Sequence, residues 1–200
     1  MTESNVFSYN LTLPEDVNGL TIPNSQVRCW DTQIFVYDIC VSENHVIRHY
    51  QFYDQWFEIR CNLTPDGDYV TAAGPIDWCF HIDICSPCFS FEENTYHVDL
   101  CRHILVGPDG LTHVVIDTGD FDYAIQQNWI TEEEKLGAEN GLAAILEIIL
   151  NGRLLEFLEM TCSFYSVEEC LIQLSLVSLP FETFPLLQIG ERQKHFGIRS

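Results

Sequence analysis

Residues 78–85, WCFHIDIC, and residues 97–106, HVDLCRHILV, alternate so that Cys79, His81, Asp83 and Cys85 fall on one strand face and His97, Asp99, Cys101 and His103 on another. The even positions of the same runs carry Trp78, Phe80, Ile82, Ile84, Val98, Leu100 and Ile104. That is the period-two pattern of strands with one face in a core. If the two strands pair, eight potential metal ligands lie together on the opposite face, because cross-strand side chains on one face are near neighbours.

Outward from this pair, residues 33–41 and 45–63 are rich in Phe, Tyr, Val and Ile and read as strand, turn, strand across Ser42-Glu43-Asn44. Thr64-Pro65-Asp66-Gly67-Asp68 and Gly107-Pro108-Asp109-Gly110 are turn sequences, with Pro set for a bend and Gly able to take positive φ. Residues 111–117 read as a further strand, with His113 and Asp117 on one parity. The texture then changes. Thr131 followed by Glu132, Glu133 and Glu134 is a capping box, and Leu142, Ile145, Leu146 and Ile149 give its helix a buried stripe. Asn151-Gly152 stops that helix before a second one carrying Leu154, Leu155, Phe157 and Leu158. Ser166-Val167-Glu168-Glu169 caps a third, with Cys170, Leu171, Leu174 and Val177 at helical spacing and Pro180 and Pro185 ending it.

These elements predict an α+β fold in one domain over residues 1–200: an N-terminal antiparallel β-sheet, roughly residues 5–120, covered on one face by C-terminal helices, roughly residues 131–180. The β-rich part runs over residues 1–122, the helical part over 123–185, and a basic tail over 186–200 carries Arg192, Lys194 and Arg199.

The formal net charge of -21, from 30 acidic against 9 basic residues, argues against nucleic acid and anionic membrane as partners, since both are bound mainly through Lys and Arg. It favours a basic protein partner. No stretch reaches the roughly 18 apolar residues of a membrane helix, and the N-terminus lacks the pattern of a signal peptide, so a cytoplasmic protein with reduced thiols is expected.

Four constellations carry possible chemistry. Cys85-Ser86-Pro87-Cys88 with Cys101 and His103 is one candidate structural zinc set, although Cys101-Arg102-His103 lacks the usual ligand spacing. His81-Ile82-Asp83, echoed by His97-Val98-Asp99, resembles the two-imidazole, one-carboxylate triad of non-haem iron oxygenases, with His113 as a candidate third ligand. Val114 to Gly119 resembles the Asp-Thr-Gly triplet of retroviral-type aspartic proteases, but Asp120 and the Glu-rich helix beyond depart from that pattern. Asp117, Asp120 and Asp122 could bind Ca²⁺ loosely, although a calcium loop needs more oxygen ligands at defined alternation, and they otherwise read as a solvated acidic turn. The charge points to an acidic, non-enzymatic interaction or regulatory protein binding a basic partner, by mimicry of a polyanion for example. The alternatives are a zinc- or iron-dependent enzyme using the Cys/His/Asp face, and a sheet protein that binds a small molecule.

Overall fold

The computed structural model describes residues 3–10, 17–91, 94–163 and 175–179. Its strands are β1 (Glu3–Asn10), β2 (Val17–Pro23), β3 (Val27–Trp30), β4 (Ile34–Ser42), β5 (His45–Phe52), β6 (Phe57–Leu63), β7 (Phe80–Cys85), β8 (Phe89–Phe91), β9 (Asn94–Val106), β10 (His113–Ile116) and β11 (Ser175–Leu179). They form one sheet in the order β11-β2-β1-β9-β7-β6-β5-β4-β3, with β8 and β10 paired to β9 beside that path. The helices among the described residues are α1 (Thr118–Gln126), α2 (Glu132–Leu150) and α3 (Leu154–Thr161). None is long and apolar enough to cross a membrane.

The mixed α+β character stands, but the sheet is neither flat nor purely antiparallel. β1 runs parallel to β9, pairing Asn5 with Asn94 through Asn10 with Asp99. Four strands separate β1 from β4 in the sheet order. Even so, Val6 and Ile22 share a buried cluster with Phe35, Tyr37 and Ile39. Only a sheet curled nearly into a barrel brings those strands together.

The apolar parity of the central strands faces outward, toward the helices. Phe80, Ile82, Ile84, Val98, Leu100 and Ile104 are all fully buried in a core shared with Phe121, Ala138, Ile145, Ile149, Leu154 and Leu158 of the three helices. The polar parity therefore lines the concave side. One irregularity changes which residues it includes. The β7/β9 register jumps from Ile84 opposite Arg102 to Cys85 opposite Asp99, and Cys101 takes φ 66. This bulge turns Cys101 into the apolar core beside Leu100, so it does not share a face with His97, Asp99 and His103.

The other departures have local causes. The run over residues 45–63 is broken at residues 53–56, where the chain reverses without Gly or Pro. Helix α1 starts at Thr118, directly after Asp117 in the left-handed region, so Asp117-Thr118-Gly119 opens a helix and is not a protease-type loop. Residues 175–179 are a strand against β2, where a helix reaching Val177 was expected, because an edge partner decides the conformation of so short an apolar run. Residues 164–174 and the basic tail with Arg192, Lys194 and Arg199 lie outside the described residues. Cys40 is disulfide-bonded, whereas Cys29, Cys61, Cys79, Cys85, Cys88, Cys101 and Cys162 are free thiols.

Helix α2 begins as its sequence predicts: Thr131 Oγ1 accepts from the Glu134 amide at 3.1 Å, and the Glu134 carboxylate accepts from the Thr131 amide at 2.9 Å. It ends at Asn151, with Gly152 at φ 65. Its two glycines make the notch that receives Trp56 from the β5–β6 turn. A Cβ on Gly137 would lie 2.2 Å from the indole, and one on Gly141 2.6 Å from Trp56 Cβ. Gly137→Ala is therefore expected to destabilise the fold by about 3 kcal/mol, lowering Tm by roughly 6–12 °C. Gly119→Ala, whose Cβ meets nothing within 4 Å, is the control with little shift. Thermal denaturation followed by circular dichroism decides this, and equal Tm values for the two variants would refute the notch.

Candidate active site

The concave face is organised in cross-strand rungs. Tyr37, His49, Arg60, His81 and Leu105 lie opposite one another across β4, β5, β6, β7 and β9. The next rung is Phe35, Gln51, Glu58, Asp83 and His103. Beyond the bulge, β9 adds His97 and Asp99. Of these, Tyr37, His49, Gln51, Glu58, Arg60, Asp83, His97, Asp99 and His103 border a cavity of about 360 Å³ with Val6 and Leu20 from the facing strands.

Asp83 is the hub. Its Oδ1 accepts from His103 Nδ1 at 2.6 Å, and its Oδ2 takes a short contact from the Arg60 guanidinium. His81 Nε2 lies 3.2 Å from the same Oδ1, yet it is out of line for a hydrogen bond and is buried without a hydrogen-bond partner. Burial alone would raise the Asp83 pKa, but Arg60, His103 and His81 hold it well below the usual carboxylate range. His103 moves the other way: burial opposes its charge, and the hydrogen bond to Asp83 with the charges of Asp83, Asp99 and Asp117 raises its pKa. Its Nε2 is 3.9 Å from Asp117 Oδ2 at the start of α1.

Glu58 faces Asp83 directly across β6 and β7 and takes the opposite protonation state. Burial first, then the Asp83 charge, pushes its pKa up to about 8. Gln51 Nε2 donates to Glu58 Oε2 at 3.1 Å, and His97 Nε2 is 3.5 Å from the same oxygen. Burial lowers His97 to about 4, so that ring is neutral. Burial and then Asp83 raise Asp99 to about 6.

The linkage sign follows from these values. An unfolded Glu loses its proton near pH ~4.3, whereas folded Glu58 keeps it to about 8, and Asp99 behaves likewise up to about 6. Between those limits the folded state binds more protons than the unfolded state. The stability that Glu58 and Asp99 contribute to the cation-free protein is thus full at low pH and is lost as pH rises through about 8, whereas the lowered Asp83, His97 and His49 contribute in the opposite sense at acid pH. Urea midpoints should fall between about pH 7 and pH 9, above the range in which the lowered His49 and His97 act in the opposite sense, and Glu58→Gln should flatten that fall; a wild-type midpoint that rises from about pH 7 to pH 9 would overturn the assignment.

Of the residues singled out in sequence, the donor atoms of His81, Asp83 and His103 lie within 4.8 Å of one another, the only such group among the described residues. His97 lines the same cavity but faces Glu58. The set Cys85, Cys88, Cys101 and His103 is not assembled. Cys85 and Cys88 are buried at the β7 end, where burial raises their thiols, and Cys101 is in the core. His113 does not join His81 and Asp83; its Nδ1 is held by the Leu111 carbonyl at 2.8 Å. His103 takes the place expected for it, since the β7/β9 register sets it opposite Asp83. Glu58, Arg60, Gln51, His49 and Tyr37 were not picked out, although Phe57, Ile59, Cys61 and Leu63 alternate with Glu58, Arg60 and Asn62 as β7 does.

The donor set fits a divalent cation: two imidazoles and one carboxylate, one imidazole nitrogen without a hydrogen bond, and Asp99 and Asp117 close by. No family model matches this chain, and no curated protein matches it. Solved structures do. One is FomD in complex with CDP, at TM-score 0.57 and 10% identity, covering 76% of this chain and 85% of that one. Another is the phosphatase SC4828 with the non-hydrolysable nucleotide GPCP, at TM-score 0.53 and 9% identity, covering 74% and 80%. What is shared is the fold.

Proposed function

We propose that the protein is a divalent-cation-dependent phosphohydrolase whose substrate is a nucleotide held in the barrel interior. The observation that carries this reading is the convergence of the His81, Asp83 and His103 donor atoms at a cavity that Asp83 and His103 line together with Arg60. The two similar folds support the substrate class, one bound to CDP and the other a phosphatase bound to a nucleotide analogue.

The electrostatics make the cation a requirement. Asp83 and Asp99 border the cavity with Arg60 as the one always-charged cation among its described lining residues, in a chain of net charge -21. A di- or triphosphate entering that field alone would be repelled. A bound divalent ion supplies Lewis-acid polarisation of a phosphoryl oxygen and neutralises its charge. Imidazole donors favour a first-row ion such as Mn²⁺, Fe²⁺ or Zn²⁺ over Mg²⁺. His81, Asp83 and His103 would hold the ion, and the Arg60 guanidinium beside them would meet phosphate oxygens. Glu58, protonated at neutral pH, holds a proton at the cavity wall that could pass to a leaving oxygen.

The acidic interaction reading rests on net charge alone, and a basic partner on the outer surface is compatible with a cavity on the concave side. The deciding experiment is phosphate release from nucleoside di- and triphosphates by metal-stripped protein with Mn²⁺, Zn²⁺, Fe²⁺ or Mg²⁺ added back. Hydrolysis that appears only with added cation, best with a first-row ion, is expected. Absence of phosphate release with every cation and nucleotide would defeat the reading.

A further inference from the structure

The end of the cavity remote from the cation donors is built differently. On β4 and β5, Tyr37 and His49 stack with ring centroids 4.8 Å apart and planes 8° from parallel. Val6 and Leu20 of β1 and β2 border the same cavity from the facing strands. Beside the stack, Gln51 is almost fully buried, and its Nε2 is committed to Glu58 Oε2 at 3.1 Å and to His97 Nδ1 at 3.5 Å. That fixes the amide and leaves Gln51 Oε1 buried with no hydrogen-bond partner among the described residues, as is His49 Nδ1. Orphaned buried polar atoms are rare unless something absent satisfies them. Here two occur on adjacent strands at one end of one cavity.

We propose that Tyr37, His49 and Gln51 form a subsite for the base of the nucleotide, selecting a planar ring whose edge carries an amino donor. The stack offers a flat aromatic wall, the aliphatic side chains of β1 and β2 face it, and Gln51 Oε1 supplies an acceptor at the edge. An exocyclic amine satisfies that acceptor, whereas a carbonyl in its place sets two acceptors against each other. The spacing agrees. Gln51 is two strands from Asp83, roughly 10 Å at the usual interstrand distance, a span that a ribose bridges between base and phosphate. This rests on the reading that the cation end takes the phosphates, and it adds the base specificity that reading leaves open.

The test uses the full chain and free nucleosides, which lack phosphate and so do not depend on the cation. Titrations by calorimetry or NMR compare cytidine with uridine and adenosine with inosine, pairs that differ by an amine against a carbonyl. The amine-bearing member of each pair is expected to bind about tenfold tighter, the weight of one hydrogen bond. Gln51→Leu should bring each pair to equal affinity. His49→Phe, which keeps a ring for stacking, should weaken all four while preserving the order, and it serves if the Gln51 variant does not fold. Equal affinities in the wild-type protein, or no nucleoside binding, overturn the subsite. Amine-selective binding without cation-dependent hydrolysis of any nucleotide leaves the subsite standing and removes the phosphohydrolase reading. Hydrolysis indifferent to the base does the reverse.

Discussion

Asp83→Asn is expected to leave a folded protein that has lost cation-dependent phosphate release by on the order of a thousandfold, the scale of removing a central electrostatic group from an active site. The side chain keeps its size, and the amide still offers an oxygen to one of its present donors, His103 or Arg60. What disappears is the charge between two imidazoles and a guanidinium, and with it the carboxylate of the cation site. Glu58 meanwhile loses the like charge that raises its pKa, so its titration should move down toward the ordinary carboxylate range. Two independent readouts are therefore available. Calorimetric Mn²⁺ or Zn²⁺ binding should weaken strongly, and the pH dependence of stability should flatten. Wild-type cation affinity in Asp83→Asn would remove Asp83 from the site, whatever happens to activity.

The strand pair over residues 78–106 was legible because each strand contrasts a mainly apolar parity with one rich in Cys, His and Asp, Arg102 and Leu105 being the exceptions. The structure pairs the strands and buries Phe80, Ile82, Ile84, Val98, Leu100 and Ile104, but Trp78 stays half-buried outside that core and Cys79, read on the opposite face, lies in it. Three things were hidden. The bulge at Cys101 depends on a single residue at φ 66, which the period-two pattern passes over, and it separates Cys101 from the other polar residues of β9. The parallel pairing of β1 with β9 joins residues 89 apart, as the Asn5–Asn94 hydrogen bond measures, and no local signal specifies it. Closure of the sheet follows from that pairing, so the cavity was hidden with it. The helix start at Thr131 and stop at Asn151-Gly152 were legible for the opposite reason, since caps are made by residues within one turn of each other. The concave residues of β5 and β6 were readable in principle. Glu58 and Arg60 sit in a run as alternating as β7, and the wealth of Cys and His in the neighbouring strands drew the reading toward thiol ligands.

The net charge also conceals where cations are needed. Among the few basic residues, Arg48 and Arg28 serve the outer face, converging on Asp38 of β4. Arg48 Nε and Nη2 donate to Asp38 at 2.7 and 3.0 Å, and Arg28 Nε donates at 2.5 Å. The Asp38 side chain is fully buried, Arg48 is 1% exposed and Arg28 22%. Arg48 also donates from Nη1 to the Ser163 carbonyl at 3.2 Å, and Tyr50 donates to the Cys162 carbonyl at 3.4 Å, fastening the end of α3 to β5.

Asp38→Ala should accordingly cost about 3–5 kcal/mol, because a buried guanidinium loses the carboxylate that takes two of its hydrogen bonds. Arg28→Ala, which strips the same carboxylate of its more exposed partner, should cost under about 1 kcal/mol. The asymmetry identifies the mechanism. If the penalty comes from stranding the Arg48 charge, removing both charges together as Asp38→Leu with Arg48→Met should recover most of it, since apolar replacement of a buried pair is often close to neutral. If Arg48 instead matters for its bond to Ser163, the double variant should remain as unstable as the single one, with the end of α3 loosened. Urea midpoints for the four proteins, with hydrogen exchange across residues 154–163, separate the outcomes. Because the cluster lies on the face away from the cavity, cation binding by the folded fraction of Asp38→Ala should match the wild type, and a loss of affinity there would mean that α3 and the concave wall are energetically coupled.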